Sequence, residues 1–396
     1  MHWLIVEDSL ESRRGHWFEY LEGFCRELPK LGDEVTLLVS HRAEPLIQEQ
    51  LGALAVLPES AFSKMSDGAP AWKRYARIPF HAWKTFWALR KFLKNSAALD
   101  VIFVPTVIVH HLLGWTMLVK LGILPKRARL LLFFPNLPIR KSNDAVTLDG
   151  SPTSRILRLL LLTLNAEIVN GRLLLGVETH EMKEAAEKVF GVPFIYFPHP
   201  VAPISSASSN SHLPSPLTMA CYGPARHEKG SDLLVRGIVR YLEKHPEGET
   251  RFVLQWLEDF VGADGETVSL PDSLKKHPRV EIVDRFFAEG EYADRLAATQ
   301  ILLLPYRGSS YGLRVSRVVI EALVNGIPVV ATRGTTLARQ AQEHGVALHC
   351  EDEDVESLVA AIEEMEHHCE GGTVAASGRK ALAQEHFSVS HFRKLL

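Results

Sequence analysis

Charge imbalance is what this 396-residue sequence most plainly lacks: 44 Lys and Arg against 47 Asp and Glu leave a formal net charge of −3 at pH 7, with no long block of like charge. Without a broad basic surface there is no global pull toward a phosphate backbone, which excludes nucleic acid as a partner, and no charged run forms an interaction tail. Cysteine is scarce. Cys25, Cys221, Cys350 and Cys369 stand apart without a C-x-x-C pair, which excludes a disulfide scaffold and reads as structural thiols in a reduced, cytoplasmic protein. Long apolar runs are missing too. Val101–Val119 is interrupted by Pro105, His110-His111 and Gly114, and Ile156–Leu164 is too short to cross a bilayer, so no transmembrane helix is read. Residues 2–8, HWLIVED, already have the pattern of a core strand with no basic segment before them, so the expectation is no secretion signal.

The residues that are present have ordinary globular composition, 46% hydrophobic and 23% charged, in a chain long enough for two cores. The opening reads as a βαβ unit: the first strand, a loop over Glu7–Gly15, a helix from about His16 to Leu28 and a strand at Val35–Ser40. Further strands are expected at Ala53–Leu57, Asp100–Val104, Arg129–Phe134, Leu173–Val177 and Phe194–Phe197, with helices at Ser154–Leu164 and His180–Phe190. Arg140–Thr153, polar and carrying Asp149-Gly150 and Ser151-Pro152, reads as a loop. Pro198, Pro200 and Pro203, followed by the Ser-rich run Ser205–Ser215, mark a linker.

One segment of this half stands out. Over 71–94, Trp72, Tyr75, Phe80, Trp83, Phe86, Trp87 and Phe92 alternate with Lys73, Arg74, Arg77, Lys84, Arg90, Lys91 and Lys94 at helical spacing. Such a helix either lies in a membrane interface and attracts anionic lipid, or packs on the core with a solvated basic face. The His110-His111 pair follows an apolar strand and is read as structural. Near the C-terminus, His367-His368-Cys369 ends a helical pattern, and adjacent residues do not face one another on a helix, so no metal site is read there.

In the second half, Leu217–Gly237 runs LTMACYGPARHEKGSDLLVRG: a buried strand, a turn at Gly223-Pro224, a loop with Arg226, His227, Glu228 and Lys229, and a helix with Ser231 as its expected N-cap. A helix N-terminus preceded by Arg and Lys is an anion cradle suited to diphosphate. Ile301–Thr332 reads as strand, polar loop, helix from about Ser316 to Asn325, a Gly326 stop and another strand. Strands at about 217–222, 251–257, 280–283, 301–304, 327–331 and 346–349 alternate with helices, the pattern of a six-stranded doubly wound parallel sheet.

With these two stretches and the closing HFSVSHF, the chain resembles the family 4 (group 1) glycosyltransferases of the GT-B fold. The resemblance implies an α/β protein of two doubly wound Rossmann-like domains facing each other across a cleft: an acceptor domain over 1–200, a linker over 201–216, a nucleotide-sugar domain over 217–378, and a tail over 379–396 that returns to the first domain. It places the loop 140–153 over that cleft. Lys229-Gly230 matches the family's diphosphate-binding Lys-Gly. Pro224 stands where the family often has Arg, and Arg226, two residues on, is taken as its substitute. Glu321 matches the second Glu of Glu-x7-Glu, the ribose-binding one, and Leu313 replaces the first. Ser316 and Arg317 open the helix that meets the diphosphate, and Tyr311 and Arg314 are candidates either for the sugar or for the solvated surface.

On the acceptor side the family's double glycine is reduced to Gly15. His16 beside it either touches a sugar hydroxyl or phosphate or caps its helix, and Asn136 stands where the family often has His-Asp. The function implied is transfer of a sugar from a UDP- or GDP-sugar to a glycan or lipid-linked acceptor, with retention, in bacterial cell-surface polysaccharide assembly. No metal or other cofactor is implied. The alternatives are a GT-B sugar-nucleotide epimerase or hydrolase, and a binding scaffold that has lost catalysis. The expected location is the cytoplasm, with 71–94 offering a peripheral contact on the inner face of the membrane.

Overall fold

Six residues form the first strand, β1 (His2–Glu7), and it is buried from Trp3 onward, which is what a strand covered on both faces requires. The computed structural model describes residues 1–13, 16–62, 71–94, 96, 98–142, 145–204, 216–288, 290–370 and 376–396, and gathers them into two units, Met1–Pro200 with Val389–Leu396, and Val201–Ser388. In unit 1, β1 is followed by β2 (Glu34–Ser40), β3 (Leu54–Leu57), β4 (Val101–Val104), β5 (Arg129–Phe133), β6 (Leu173–Val177) and β7 (Ile195–Tyr196). They form one parallel sheet in the order β3-β2-β1-β4-β5-β6-β7.

Alternation along the strands divides the core. Trp3, Ile5, Phe103 and Phe133 share one face with Phe18, Leu21 and Phe24 of the helix His16–Lys30. The short helix Val389–Lys394 closes this face: the Phe392 ring lies 5.0 Å from Phe24, 5.4 Å from Phe103 and 4.6 Å from Phe197. Arg393 then reaches the buried Asp33 at 2.6 and 2.9 Å, and Trp3 Nε1 donates to the same carboxylate at 3.0 Å. Those ion-paired hydrogen bonds hold Asp33 well below the usual carboxylate range.

Unit 2 repeats the plan. β8 (Thr218–Cys221), β9 (Arg251–Gln255), β10 (Val280–Val283), β11 (Ile301–Leu304), β12 (Val329–Thr332) and β13 (Ala347–Cys350) are parallel in the order β10-β9-β8-β11-β12-β13. Both sheets therefore reverse direction between their first and fourth strands, at β1/β4 and β8/β11. That is where open α/β sheets receive ligands, beyond the carboxyl ends of the strands.

Three expectations change. The segment read as a loop from Arg140 contains an antiparallel hairpin, Ile139–Ser142 with Ala145–Leu148, because Val146 and Leu148 alternate with the exposed Ala145 and Thr147 on a period of two. The tail expected over 379–396 divides. Helix Ala376–His386 and Phe387 stay in unit 2, where Ala383 and Phe387 are buried with Leu323, and only 389–396 belong to unit 1. The first residues of the expected linker are also tied into unit 2, through Val201 N–H to the Phe387 carbonyl and Ile204 N–H to Asn325 Oδ1, both 2.9 Å, while Ser205–Ser215 lie outside the described residues. His367, His368 and Cys369 continue the helix Val355–Glu370 with Cys369 buried and both histidines exposed, so no unwound turn gathers them. Among the described residues no helix is long and apolar enough to cross a membrane.

Helix Ala71–Leu93 buries Ile78, Ala82, Phe86, Leu89 and Leu93 on one face. Its other face leaves Trp72 67%, Phe80 58%, Trp83 52%, Trp87 44% and Tyr75 41% exposed. The helix thus packs on the core, as one of the two readings has it, through an aliphatic face and Phe86, and leaves most of its rings exposed with the half-buried Phe92 between.

Candidate functional site

The loop after β8 is shaped by two glycines. Gly223 (φ 90°) turns the chain and donates its N–H to Gln255 Oε1 at 2.7 Å, and a Cβ there would meet Lys229 Nζ at 2.5 Å. Gly230 (φ 60°) lies so close to the loop after β11 that a Cβ would meet the Pro305 carbonyl oxygen at 2.0 Å. Only glycine fits at 230, on conformation and on space. Between them His227–Lys229 forms a single 3₁₀ turn that leads into the helix Ser231–Lys244. The N-cap is Gly230, not Ser231 as expected: Ser231 is the first helical residue, and its hydroxyl turns back to accept the Arg226 N–H at 3.0 Å.

Arg307 clamps this turn from the side. Its terminal nitrogens reach the two Asp232 oxygens at 2.8 Å each, Nη2 also reaches Glu353 at 3.0 Å, Nε bonds the other Glu353 oxygen, and Nη1 bonds the His227 carbonyl. The Arg307 N–H adds a bond to the Glu228 carbonyl at 3.1 Å. Burial opposes the charge of this guanidinium, but Asp232 and Glu353 raise its pKa above even the usual arginine value. Glu353 pays with a left-handed backbone, φ 61°, which costs a residue with a Cβ on the order of 1–3 kcal/mol. Sequence reading passed over this role because Asp232 and Glu353 stand 75 and 46 residues away from Arg307.

Lys229 is the cation this frame presents. Its Nζ lies over Gly223 and 5.8 Å from the centre of the Tyr306 ring, and among the described residues it forms no ion pair. Burial, reinforced by the Arg226 charge, lowers its pKa from the ordinary lysine value. Arg226 is exposed, 3.6 Å from Glu228. Half-buried Tyr311 joins them: burial and Glu228 raise its hydroxyl pKa while Arg314 and Arg226 oppose the rise. Arg226, Lys229, Tyr311 and the exposed Arg314 thus gather around one turn, facing the loop that leads into the helix Arg317–Asn325. Ser316 is the N-cap of that helix, although its side chain makes no capping bond.

Arg317 and Glu321 have partners of their own. Arg317 Nε lies 2.8 Å from Glu321 Oε1, and the Tyr292 hydroxyl donates to Oε2. Leu313, in the place of the family's first carboxylate, is buried at 8% exposure.

Unit 1 holds a hollow of about 460 Å³ at its own reversal point, within the roughly 300–1,000 Å³ range of ligand pockets. Ser9 and Glu11 enter it after β1, Ser60 and Phe62 after β3, Thr106–Ile108 after β4, Pro135 and Asn136 after β5, and Trp17 from the helix His16–Lys30. Asn136 is exposed there, free to meet a ligand. Gly15 lies outside the described residues, as does the side chain of His16, whose backbone opens the helix.

Beneath the hollow lies a buried titratable cluster that sequence reading missed, because its members come from three distant segments. Asp8 Oδ2 is 2.9 Å from His111 Nε2 and 3.0 Å from His81 Nε2. These three groups are close enough to hold a metal ion. The same atoms also suit a hydrogen-bond network: His111 Nδ1 accepts the Ile108 N–H at 3.2 Å and His81 Nε2 also faces the Glu59 carbonyl at 3.1 Å, an arrangement that sets both Nε2 atoms to donate to Asp8. Burial would raise the Asp8 pKa, but the two histidines hold it well below the usual carboxylate range. Its neighbour Glu7 goes the other way, pushed up to about 7 by burial and then by the Asp8 charge, despite the Ser9 N–H bond at 2.9 Å. Glu7 Oε2 is buried and has no hydrogen-bond partner among the described residues.

Known proteins resemble this chain in sequence over residues 216–368 and in fold over nearly its whole length. Residues 216–368 match the family described as glycosyl transferases group 1. Over 124 residues the chain is 29% identical to the lipopolysaccharide core biosynthesis mannosyltransferase LpsB of Rhizobium meliloti, covering 30% of this chain and 32% of that protein. The match thus spans about a third of the mannosyltransferase's length. In structure, the chain is similar to a glycosyltransferase from Rickettsia africae (TM-score 0.67, 12% identity, 99% of this chain and 96% of that one). It is similar also to Anabaena HepE in complex with UDP (TM-score 0.61, 14% identity, 100% and 98%). At these identities the likeness shows the fold, two Rossmann-like α/β domains of the GT-B kind.

Glu7 generates a pH prediction. A raised folded pKa means that the fold favours the protonated carboxyl, so its contribution is complete below the ordinary value of 4.5 and is lost as pH rises through about 7. Glu7→Gln keeps the neutral shape, so the thermal stability of the variant relative to the parent should rise across this window and level off above it. Melting curves from pH 4.5 to 8 check this; a difference that does not change with pH contradicts the assignment.

Proposed function

We propose that the protein transfers a sugar from a UDP- or GDP-sugar to a glycan or lipid-linked acceptor, with retention, in the assembly of a cell-surface polysaccharide. The observation that carries this reading is Lys229: a half-buried cation that forms no ion pair among the described residues, held beside a helix N-terminus at the reversal point of a doubly wound sheet. A leaving diphosphate supplies the missing counter-charge. The group 1 match over this same half, and the UDP complex of the similarly folded HepE, support a nucleotide-sugar as the ligand.

In this reading Lys229 and Arg226 stabilise the charge that grows on the diphosphate as the glycosidic bond breaks, and no metal is needed there. The Gly230 turn and the Ser316 and Arg317 helix start bring amides to the phosphates, and Tyr311 and Arg314 face the sugar. Glu321, held by Arg317 and Tyr292, is the acceptor for the ribose hydroxyls. Gly15, His16 and Asn136 serve the acceptor side. Leu313 favours one competing reading, a binding protein without turnover, since an apolar side chain occupies the place of a sugar-reading carboxylate. Release of nucleoside diphosphate separates the cases: only with acceptor for a transferase, without it for a hydrolase, none for a scaffold.

The helix Ala71–Leu93 supports a membrane contact at the cytoplasmic face. It carries no Asp or Glu, and Lys84 and Arg90 lie 4.4 and 4.9 Å over the exposed rings of Phe80 and Trp87. Rings at the headgroup level with cations beside them suit an anionic bilayer.

Two measurements check these roles. Lys229→Ala should lose on the order of 10² to 10³ in kcat, by analogy with loss of one oxyanion donor, with a smaller loss of nucleotide affinity. Arg226→Ala should behave alike, and the double variant should fall short of the sum because both act on the same phosphates; full activity in Lys229→Ala refutes the cradle. Flotation with phosphatidylglycerol vesicles at low salt should retain the protein, while neutralising Lys84, Arg90, Lys91 and Lys94 or raising the salt should release it. A parent protein that ignores such vesicles would remove the membrane contact.

A further inference from the structure

The hollow in unit 1 is chemically selective. It offers hydroxyls from Ser9, Ser60 and Thr106, the Asn136 amide, two aromatic rings and one carboxylate, and no Lys, Arg or His lines it among the described residues. The carboxylate is Glu11. Its Oε1 is fixed by the Ser40 hydroxyl at 3.0 Å and the Ser60 N–H at 3.1 Å, which leaves Oε2 without a protein partner among the described residues. The rings are those of Trp17, which stands half-buried and braced edge-on by Tyr20 at 6.1 Å, and Phe62, 38% exposed.

From this lining we infer that the hollow holds an uncharged sugar unit as the accepting end of the second substrate, with Trp17 under the ring and Glu11 reading its hydroxyls, and that Glu11 turns away phosphorylated and acidic sugars. The steps are elementary. A pyranose has an apolar C–H face that packs on an aromatic ring, and an edge of hydroxyl donors that need acceptors. A fixed carboxylate is acceptor-only and matches two neighbouring hydroxyls. A phosphate or uronate in the same place would bring a second negative charge against Glu11 with no cation among the described lining residues to offset it.

This deepens the proposed transfer and rests on it for the word acceptor. It also fixes an order of events: the acceptor is not a bare lipid phosphate, so an earlier glycosyl transfer must already have placed a neutral sugar on the carrier. Any carrier phosphate then stays outside this hollow.

The test needs no donor. Saturation-transfer NMR on the full-length protein alone, with methyl glycosides of glucose, mannose and N-acetylglucosamine set against glucose 6-phosphate, mannose 6-phosphate and methyl glucuronide, should show binding of at least one neutral sugar. The anionic counterparts should bind on the order of 10-fold more weakly. Trp17→Ala should abolish the neutral-sugar signal. Glu11→Gln, which keeps an oxygen for Ser40 and Ser60, should narrow the gap between neutral and anionic sugars.

Circular dichroism checks that both variants are folded, and Glu11→Gln decides the matter if Trp17→Ala is not. Anionic sugars binding as well as neutral ones, no neutral sugar of the set binding at all, or folded variants indistinguishable from the parent would each overturn the inference. Uridine and guanosine diphosphate binding is measured on the same samples. Neutral-sugar binding at Trp17 with no nucleotide binding to the parent would leave the hollow assigned and remove the glycosyl-transfer reading instead.

Discussion

The Arg307 guanidinium is the constraint on which the nucleotide-facing loop depends. It is nearly inaccessible to water and draws together the first turn of the helix Ser231–Lys244, the His227 carbonyl of the turn before it and the strained Glu353 after β13. A buried arginine is tolerated because two carboxylates surround it; truncating it would take this shared partner from Glu353 and leave Asp232, among the described residues, with only the 3.5 Å ion contact to Arg236. The consequence reaches Lys229. The turn that carries this residue has almost no hydrophobic anchor of its own, and it keeps Nζ over Gly223 because Arg307 on one side and the Gly230 contact with Pro305 on the other leave it nowhere else to go.

A similar economy organises unit 1, with histidine in place of arginine. Asp8 ends the first strand's run and receives His81 from the helix Ala71–Leu93 and His111 from the helix Val109–Lys120, so one carboxylate pins two helices to the sheet. His81 faces inward while Phe80, Trp83 and Trp87 of the same helix face outward. The network therefore fixes which face of the helix is presented to solvent, and it does so directly beneath the hollow lined by Ser9 and Thr106.

Much of this was legible in the chain itself. Both parallel sheets follow from short, fully apolar strands separated by helical periods, and the Gly223, Gly230 and Gly326 positions were marked by their flanking residues. What could not be read has a common cause. Arg307, the Asp8 histidines and the Glu11 contacts to Ser40 and Ser60 are pairings across tens of residues, and no local periodicity encodes them. Ser231 misled for a different reason: a serine before a helix has the composition of a cap, but Gly230 in the left-handed region already starts the helix and leaves the hydroxyl to brace the loop behind it. The hairpin after Ile139 was hidden by the polar residues that occupy its solvent-facing positions.

The central claim is that the turn around Lys229 recognises diphosphate. Calorimetric titration of the intact protein with uridine and guanosine, and with their mono- and diphosphates, in chelator-treated buffer, tests it most directly. The account predicts that affinity climbs steeply from nucleoside to diphosphate for at least one base, without added metal, and that Lys229→Ala loses part of the climb while the helix amides keep the rest. Equal affinity for nucleoside and diphosphate, or a climb that survives intact in Lys229→Ala, would contradict it.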